Sequence, residues 1–392
     1  MLITASRVVT GTGEYLENGA VLVDGELIAA VGPRGEVEEQ APADVPRFDF
    51  AGTVLPGLID AHVHLAFDGG ADPVEMLQES TDDQLLDAMR QRAEQLLLSG
   101  VTTARDLGDR NGLAFTLAAE IEEGRTPGPR LVAAGAPVTS VGGHCHFLGG
   151  EVSGAGDARE LVRRNLEAGA GVIKVMVSGG GLTKGGPRSW ENQLTAEEIG
   201  VVVAEAHEAG VPVAAHAHGA DAIAASVAAG VDTIEHCTWM TDGGLDLRYD
   251  VLRQIIEQDI AVCPAVSPHW RMLPAIFGEQ QAAAMFDLIR KMADAGARLI
   301  AGTDAGVQRA GFDGLASSMA FYSHLGVETK TILDMATSGA AEALGLGSIT
   351  GRVAPGYRAD LLVVDGDPLA DLVALREARA VVAAGRMHVH SS

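Results

Sequence analysis

From Gly100 onward the chain repeats one short pattern: a helical stretch, a glycine, then a brief run rich in β-branched residues. Ser99-Gly100-Val101, Ala168-Gly169-Ala170, Ala209-Gly210-Val211, Ala229-Gly230-Val231 and Ala295-Gly296-Ala297 stand at these joints. Glycine just past a helix end supplies the left-handed turn that stops it. The runs that follow, at 101–106, 172–178, 211–216, 233–236, 261–264 and 299–304, are largely continuous apolar stretches. Such runs mark parallel strands covered on both faces, whereas alternating strands keep one face wet. With a first strand at 54–64 and a third near 130–134, eight β/α units result. An eightfold alternation predicts an α/β fold, a (β/α)8 TIM barrel whose functional residues gather at the carboxyl ends of its strands.

The two ends of the chain read differently. Residues 2–9, 19–23, 27–31 and 48–53 are short strands split by turns, the clearest being Asp24-Gly25, with no helical pattern between them. Residues 360–365 and 380–389 are again strand-like. The expectation is a small β-sandwich built from both ends, 1–56 and 349–392, beside a barrel over 57–348.

Composition removes several function classes. A formal net charge of −25 lacks the basic patches that nucleic-acid binding requires and disfavours anionic membranes. No stretch reaches the ~18 apolar residues of a membrane span, and residues 1–7 lack the basic segment and apolar core of a secretory signal. Cys145, Cys237 and Cys263 lie far apart without paired spacing, which fits a reducing compartment. The expected protein is cytoplasmic and acts on a small molecule, with no nucleic-acid or membrane partner.

Five predicted strand ends carry metal-compatible groups. Residues two apart on a strand point to one side, so His62 and His64 face a common volume. Two imidazoles so placed chelate a divalent metal with nitrogen preference, zinc above all. Strand five ends in Ala215-His216-Ala217-His218-Gly219, strand six in Ile234-Glu235-His236, and strand eight in Gly302-Thr303-Asp304. His216 and His218 share a face; His216 is the preferred ligand, with His218 binding substrate or capping the loop. Lys174 stands inside the apolar run Val172-Ile173-Lys174-Val175-Met176-Val177, where an unpaired charge is costly. Either its head reaches a carboxylate past a buried stem, or the neutral amine takes up carbon dioxide and becomes an anionic carbamate between two metals.

At these residues the chain resembles the amidohydrolase superfamily, and within it the imidazolonepropionase-related group that includes prolidase-like and Xaa-Arg/Lys dipeptidase-like enzymes. The likeness spans essentially the full length. It is carried by Pro56-Gly57-Leu58-Ile59-Asp60-Ala61-His62-Val63-His64, Thr102-Thr103-Ala104-Arg105-Asp106-Leu107-Gly108, Ile173-Lys174-Val175-Met176, the three strand ends just quoted and the segment 351–355. The resemblance implies that His62, His64 and Asp304 hold one metal and that His216 and His236 hold a second, with carboxylated Lys174 bridging them. It also implies a shared hydroxide as nucleophile, with Asp304 taking its proton and passing it to the leaving group. Asp304, His144 and His236 form the implied catalytic set, and His144, His218, Trp239 and Tyr322 the substrate contacts. Homo-oligomers are common in the family, so one is expected here.

The reaction expected is hydrolysis of an amide bond, in an N-acyl amino acid or a dipeptide. Ring opening of a cyclic amide or lactone is the alternative reading, and a non-catalytic metal-binding scaffold a third. Deaminases and mononuclear imidazolone-ring hydrolases resemble a pattern with glutamate three positions after the strand-five histidine, and here that position is Gly219. Residues 179–191, with Lys184, Arg188 and Trp190, read as a lid. His207 and His269 read as structural or surface residues, and His388 and His390 as tail.

Overall fold

The computed structural model describes residues 1–11 and 14–389; His390 lies outside them. Four strands open the chain: β1 (Leu2–Val9), β2 (Tyr15–Asp24), β3 (Leu27–Pro33) and β4 (Arg47–Pro56). Strands then alternate with helices: β5 (Leu58–Val63), β6 (Val101–Asp106), β7 (Arg130–Ala133), the two-residue β8 (Thr139–Ser140) and β9 (Glu151–Val152), and β10 (Ile173–Met176). They continue through β11 (Val213–Gly219), β12 (Thr233–Thr241), the short β13 (Gly244–Leu245) and β14 (Ala261–Cys263). Three late strands, β15 (Leu361–Val364), β16 (Ala378–Ala383) and β17 (Arg386–His388), follow.

The central strands pair in parallel as β5-β6-β7 and as β10-β11-β12-β14, and β5, β6 and β10 are buried at every position. Single backbone contacts link the two groups. Gly171 N donates to Ala133 O at 3.0 Å, and Val138 bridges Val175. On the other side the run 299–304 is not a ladder strand, contrary to expectation. It makes isolated contacts instead: Ile300 N donates to Val262 O at 2.9 Å, Ala61 N to Ala301 O at 3.0 Å and Asp304 N to His62 O at 2.9 Å. Asp304, at the end of the run, takes φ 57°.

Helices cover the parallel strands with amphipathic faces. Tyr249–Glu257 buries Val251, Leu252 and Ile255, the stripe a 3.6-residue period dictates. Capping boxes start Asp82–Leu98 at Thr81/Gln84 and Ala196–Glu208 at Thr195/Glu198. The five joint glycines, 100, 169, 210, 230 and 296, all have positive φ.

Both chain ends enter one sheet, ordered β17-β16-β15-β4-β1-β2-β3. The N- and C-terminal segments meet as expected, but as one seven-stranded sheet rather than two layers. Its ends approach one another: Ala359 N donates to Glu26 O at 2.7 Å and Gly385 N to Ala359 O at 3.0 Å. Gly385 (φ 73°) is required there, because a Cβ would lie 1.9 Å from Gly25 O. The sheet thus curls around Ile3, Val21, Val54, Leu361, Val363 and Val382, while Leu2, Ala20 and Leu22 pack on Val37 of helix Arg34–Gln40. A period of two in sequence reveals a buried face, not whether the facing layer is a second sheet or the same one curled. Among the described residues no helix is long and apolar enough to cross a membrane.

Candidate active site

His62 and His64 leave β5 on the same side, with ring centroids 5.3 Å apart. His62 Nδ1 lies 2.8 Å from Glu235 Oε2, and His64 Nδ1 lies 3.3 Å from Gly108 O. Both partners only accept, which favours hydrogen on each Nδ1 and turns each Nε2 inward. The two Nε2 atoms converge on Asp304 Oδ1, at 3.3 and 3.5 Å.

His236 enters from β12 with φ 68°, a backbone region that β-strand residues avoid. Donor atoms of His62, His236 and Asp304 lie within 4.8 Å of one another, as do those of His216, His218 and His236. His236 therefore sits between two potential ligand groups. His216 Nε2 is tied to Gly179 O at 3.0 Å, which leaves Nδ1 free; His218 Nδ1 is tied to Thr238 Oγ1 at 2.9 Å, which leaves Nε2 free. The geometry thus brings both strand-five histidines to the cluster with one open nitrogen each.

Burial pushes His64 and His144 down to about 3 and His218 to about 4, and holds His216 and His236 well below the usual imidazole range. The rings are neutral at physiological pH and keep their lone pairs. For Asp304, burial is outweighed by His62 and His64, so its carboxyl sits well below the usual range. His62 is raised, because Asp304 and Glu235 outweigh burial and Lys174. In the metal-free chain a proton can fill the gap between His62 and Asp304 that a cation would occupy.

Lys174 lies on β10, fully buried, and its Nζ makes no hydrogen bond. Burial lowers its pKa against the pull of Glu235 and Asp304. The alternative of a head paired to a carboxylate is therefore not what the structure contains.

His144 is buried in the loop after β8, with its ring 4.6 Å from that of His216. Thr183 Oγ1 accepts from Cys145 N at 2.8 Å and lies 3.3 Å from His144 Nδ1. Residues 179–191 close over this side: Lys184 Nζ donates to Asp72 Oδ2 at 2.8 Å, and the Trp190 carbonyl would lie 2.6 Å from a Cβ at Gly219. A cavity of 330 Å³ lined by Asp72, Glu75, His146, Phe147, Thr183 and Lys184 adjoins His144 through Thr183. A larger hollow of 820 Å³ beside Trp270, Phe286 and Arg376 shares no residue with the histidine cluster.

Two expected substrate contacts do not reach the site's surface. Trp239 is fully buried with its indole N–H on Met292 Sδ at 3.3 Å, and Tyr322 is fully buried against Phe321. Both belong to the main hydrophobic core, so neither has a face to offer a substrate. His207 pairs with Asp232 at 2.8 Å on the surface, as expected of a structural residue.

Sequence reasoning missed the layer behind the ligands. Arg105 on β6 donates from Nε to Ala61 O (2.7 Å), from Nη1 to Thr233 Oγ1 (2.9 Å) and from Nη2 to Glu235 Oε1 (2.7 Å). Asp60 accepts from Thr303 Oγ1 at 2.6 Å and from the backbone N of His62 and Thr303. Arg105, Asp60 and Glu235 are all fully buried, and charged residues inside apolar strands were the available signal. Gly306 completes the strand-eight turn at φ 101°, where a Cβ would lie 2.1 Å from His64 O. Gly306→Ala is expected to destabilise the metal-free protein by about 1–3 kcal/mol, read by chemical denaturation.

The amidohydrolase family profile matches residues 53–387, and that of an imidazolonepropionase-like composite domain of bacteria matches residues 19–43. The chain is 27% identical to the ochratoxinase of Aspergillus niger over 97% of its own length and 84% of the relative's. It is 29% identical to the imidazolonepropionase of Pseudomonas aeruginosa over 58% of its length and 62% of the relative's. The solved structure of a Xaa-Pro dipeptidase with methionine bound in its active site superposes with a TM-score of 0.86, at 27% identity and 99% coverage of both chains. The chain belongs to the amidohydrolase family, within its prolidase- and imidazolonepropionase-like part, and is a hydrolase acting on carbon–nitrogen bonds.

Proposed function

We propose that the histidine cluster holds two divalent metal ions, zinc by its donor chemistry, and that the enzyme hydrolyses the amide bond of an N-acyl amino acid or a dipeptide. The supporting family is generally metal-dependent. The observation that carries this reading is the Lys174 amine, fully buried among ligand side chains with no hydrogen-bond partner. A lone amine in such a place is costly. As a free base it can add to carbon dioxide, forming an N–C bond and releasing one proton, and the resulting carbamate would be an anionic ligand for the ions.

His62, His64 and Asp304 would hold one ion, and His216 and His236 the other, with His218 beside them. Bound there, the ions would supply an acidified water as nucleophile and polarise the scissile carbonyl. Asp304 would take a proton from the attacking water at a carboxylate oxygen and return it to the leaving nitrogen. Thr183 Oγ1 accepts from Cys145 N and lies 3.3 Å from His144 Nδ1; with that hydroxyl donating to Nδ1, His144 would carry its proton on Nε2, for the substrate's carbonyl or its tetrahedral successor. The 179–191 segment excludes water from this side.

We read the linked parallel strands as a closed (β/α)8 barrel over 57–348, with 1–56 and 349–392 forming the sheet unit. The three free, buried cysteines support work in the cytoplasm. The Xaa-Pro dipeptidase with bound methionine supports an amide whose product is an amino acid. The imidazolonepropionase relatives support ring opening of a cyclic amide as the second reading.

Metal analysis and a substrate screen test the proposal. Purified protein should carry about two zinc equivalents and hydrolyse N-acyl amino acids or dipeptides, and chelation should abolish turnover. Turnover confined to cyclic amides or lactones would favour ring opening. A well-folded, metal-free and inactive chain would leave the scaffold.

A further inference from the structure

Glu235 is fully buried and meets the ligand group at His62, with its charge also felt by Lys174. Its Oε2 lies 2.8 Å from His62 Nδ1. Its Oε1 accepts from Arg105 Nη2 and Thr233 Oγ1, both at 2.7 Å. Arg105 in turn holds Ala61 O, the carbonyl just before His62, at 2.7 Å. The carboxylate is thus clamped on one oxygen and offers the other to a single imidazole nitrogen.

We infer that Glu235 is a positioning residue that sets the His62 tautomer, keeping hydrogen on Nδ1 so that the Nε2 lone pair faces Asp304 and any ion between them. The inference rests on the metal reading for its consequence, but not for its geometry. Arg105 can only donate, so an amide at 235 must turn its oxygen to Arg105 and its NH2 to His62. Nδ1 then has to accept, and the proton moves to Nε2, aimed at Asp304 Oδ1 3.3 Å away. A change of one atom therefore closes the ligand position without altering its shape.

The test compares wild type with Glu235→Gln. In metal-free protein carrying 15N-histidine, at a pH where the 15N shifts themselves show a neutral His62 ring, its signals should report hydrogen on Nδ1 in wild type and on Nε2 in the variant. Zinc affinity, measured by competition with a chromophoric chelator, should fall by about 10–100-fold in the variant. An unchanged tautomer overturns the inference, as does unchanged zinc affinity. If wild type takes up no zinc while the tautomer still switches, the positioning role stands and the metal reading falls. Should Glu235→Gln not fold, Glu235→Asp carries the test. Its shorter carboxylate keeps an acceptor and should retain hydrogen on Nδ1; hydrogen on Nε2 there overturns the inference equally.

Discussion

Replacing Lys174 with alanine should lower kcat/KM by about a thousandfold, with part of the activity returned by short carboxylic acids. The size follows from the proposed role: a bridging anion would fix two cations, metal catalysis contributes several kcal/mol to the barrier, and each 1.36 kcal/mol is tenfold in rate. Acetate or propionate can enter the space of the lost side chain and supply a carboxylate at the same place. Stability should move the other way. Lys174→Met in the metal-free protein removes a buried amine without a partner and keeps most of the volume, so it should match or exceed wild type in denaturant. A lysine retained for packing or pairing would show the reverse pattern: activity near normal and stability lost. Full activity of Lys174→Ala would remove the bridge from the mechanism.

The second large effect is on the fold. Arg105→Met should destabilise the metal-free protein by about 3–5 kcal/mol, because it strands the Glu235 carboxylate in a dry interior. Both side chains are fully buried, so solvent cannot compensate the loss. Removing both charges together is a different matter: Arg105→Met with Glu235→Met should recover much of that stability and still fail to hold zinc as wild type does. The double-mutant cycle, followed by urea unfolding, measures the coupling directly. A loss below about 1 kcal/mol in Arg105→Met would show that the pair is worth no more than an exposed ion pair.

The pairing of these two predictions reflects what a chain reveals before it is folded. That His62, His64, His216, His236 and Asp304 come together was legible because strand periodicity and strand-end position act on neighbours in sequence. The joint glycines were legible for the same reason, and all five take the left-handed turn. Arg105 and Glu235 stand 130 positions apart, on β6 and β12 of two separate ladders, and only the side-chain contact between those ladders brings them together. Trp239 failed for a related reason. Its place just after His236 suggested a pocket wall, but the left-handed backbone at His236, Cys237 and Trp239 turns the indole into the core. The run 299–304 looked like any other strand, since hydropathy registers burial and not whether the backbone forms a full ladder or only isolated contacts. Curling of the terminal sheet was equally hidden, as alternation is the same on a flat layer and a bent one.

That sheet has a consequence for how the molecule is made. β4 pairs on one side with β1 and on the other with β15. Translation at about 5–20 residues per second places tens of seconds between them, since roughly 300 residues separate Pro56 from Leu361. Throughout that interval the nascent protein presents the open edge of β4, with Val54 and Leu55, to whatever the ribosome's surroundings contain. Chains released early would keep that edge for life, so premature termination should yield a sticky, chaperone-bound species rather than a smaller working enzyme.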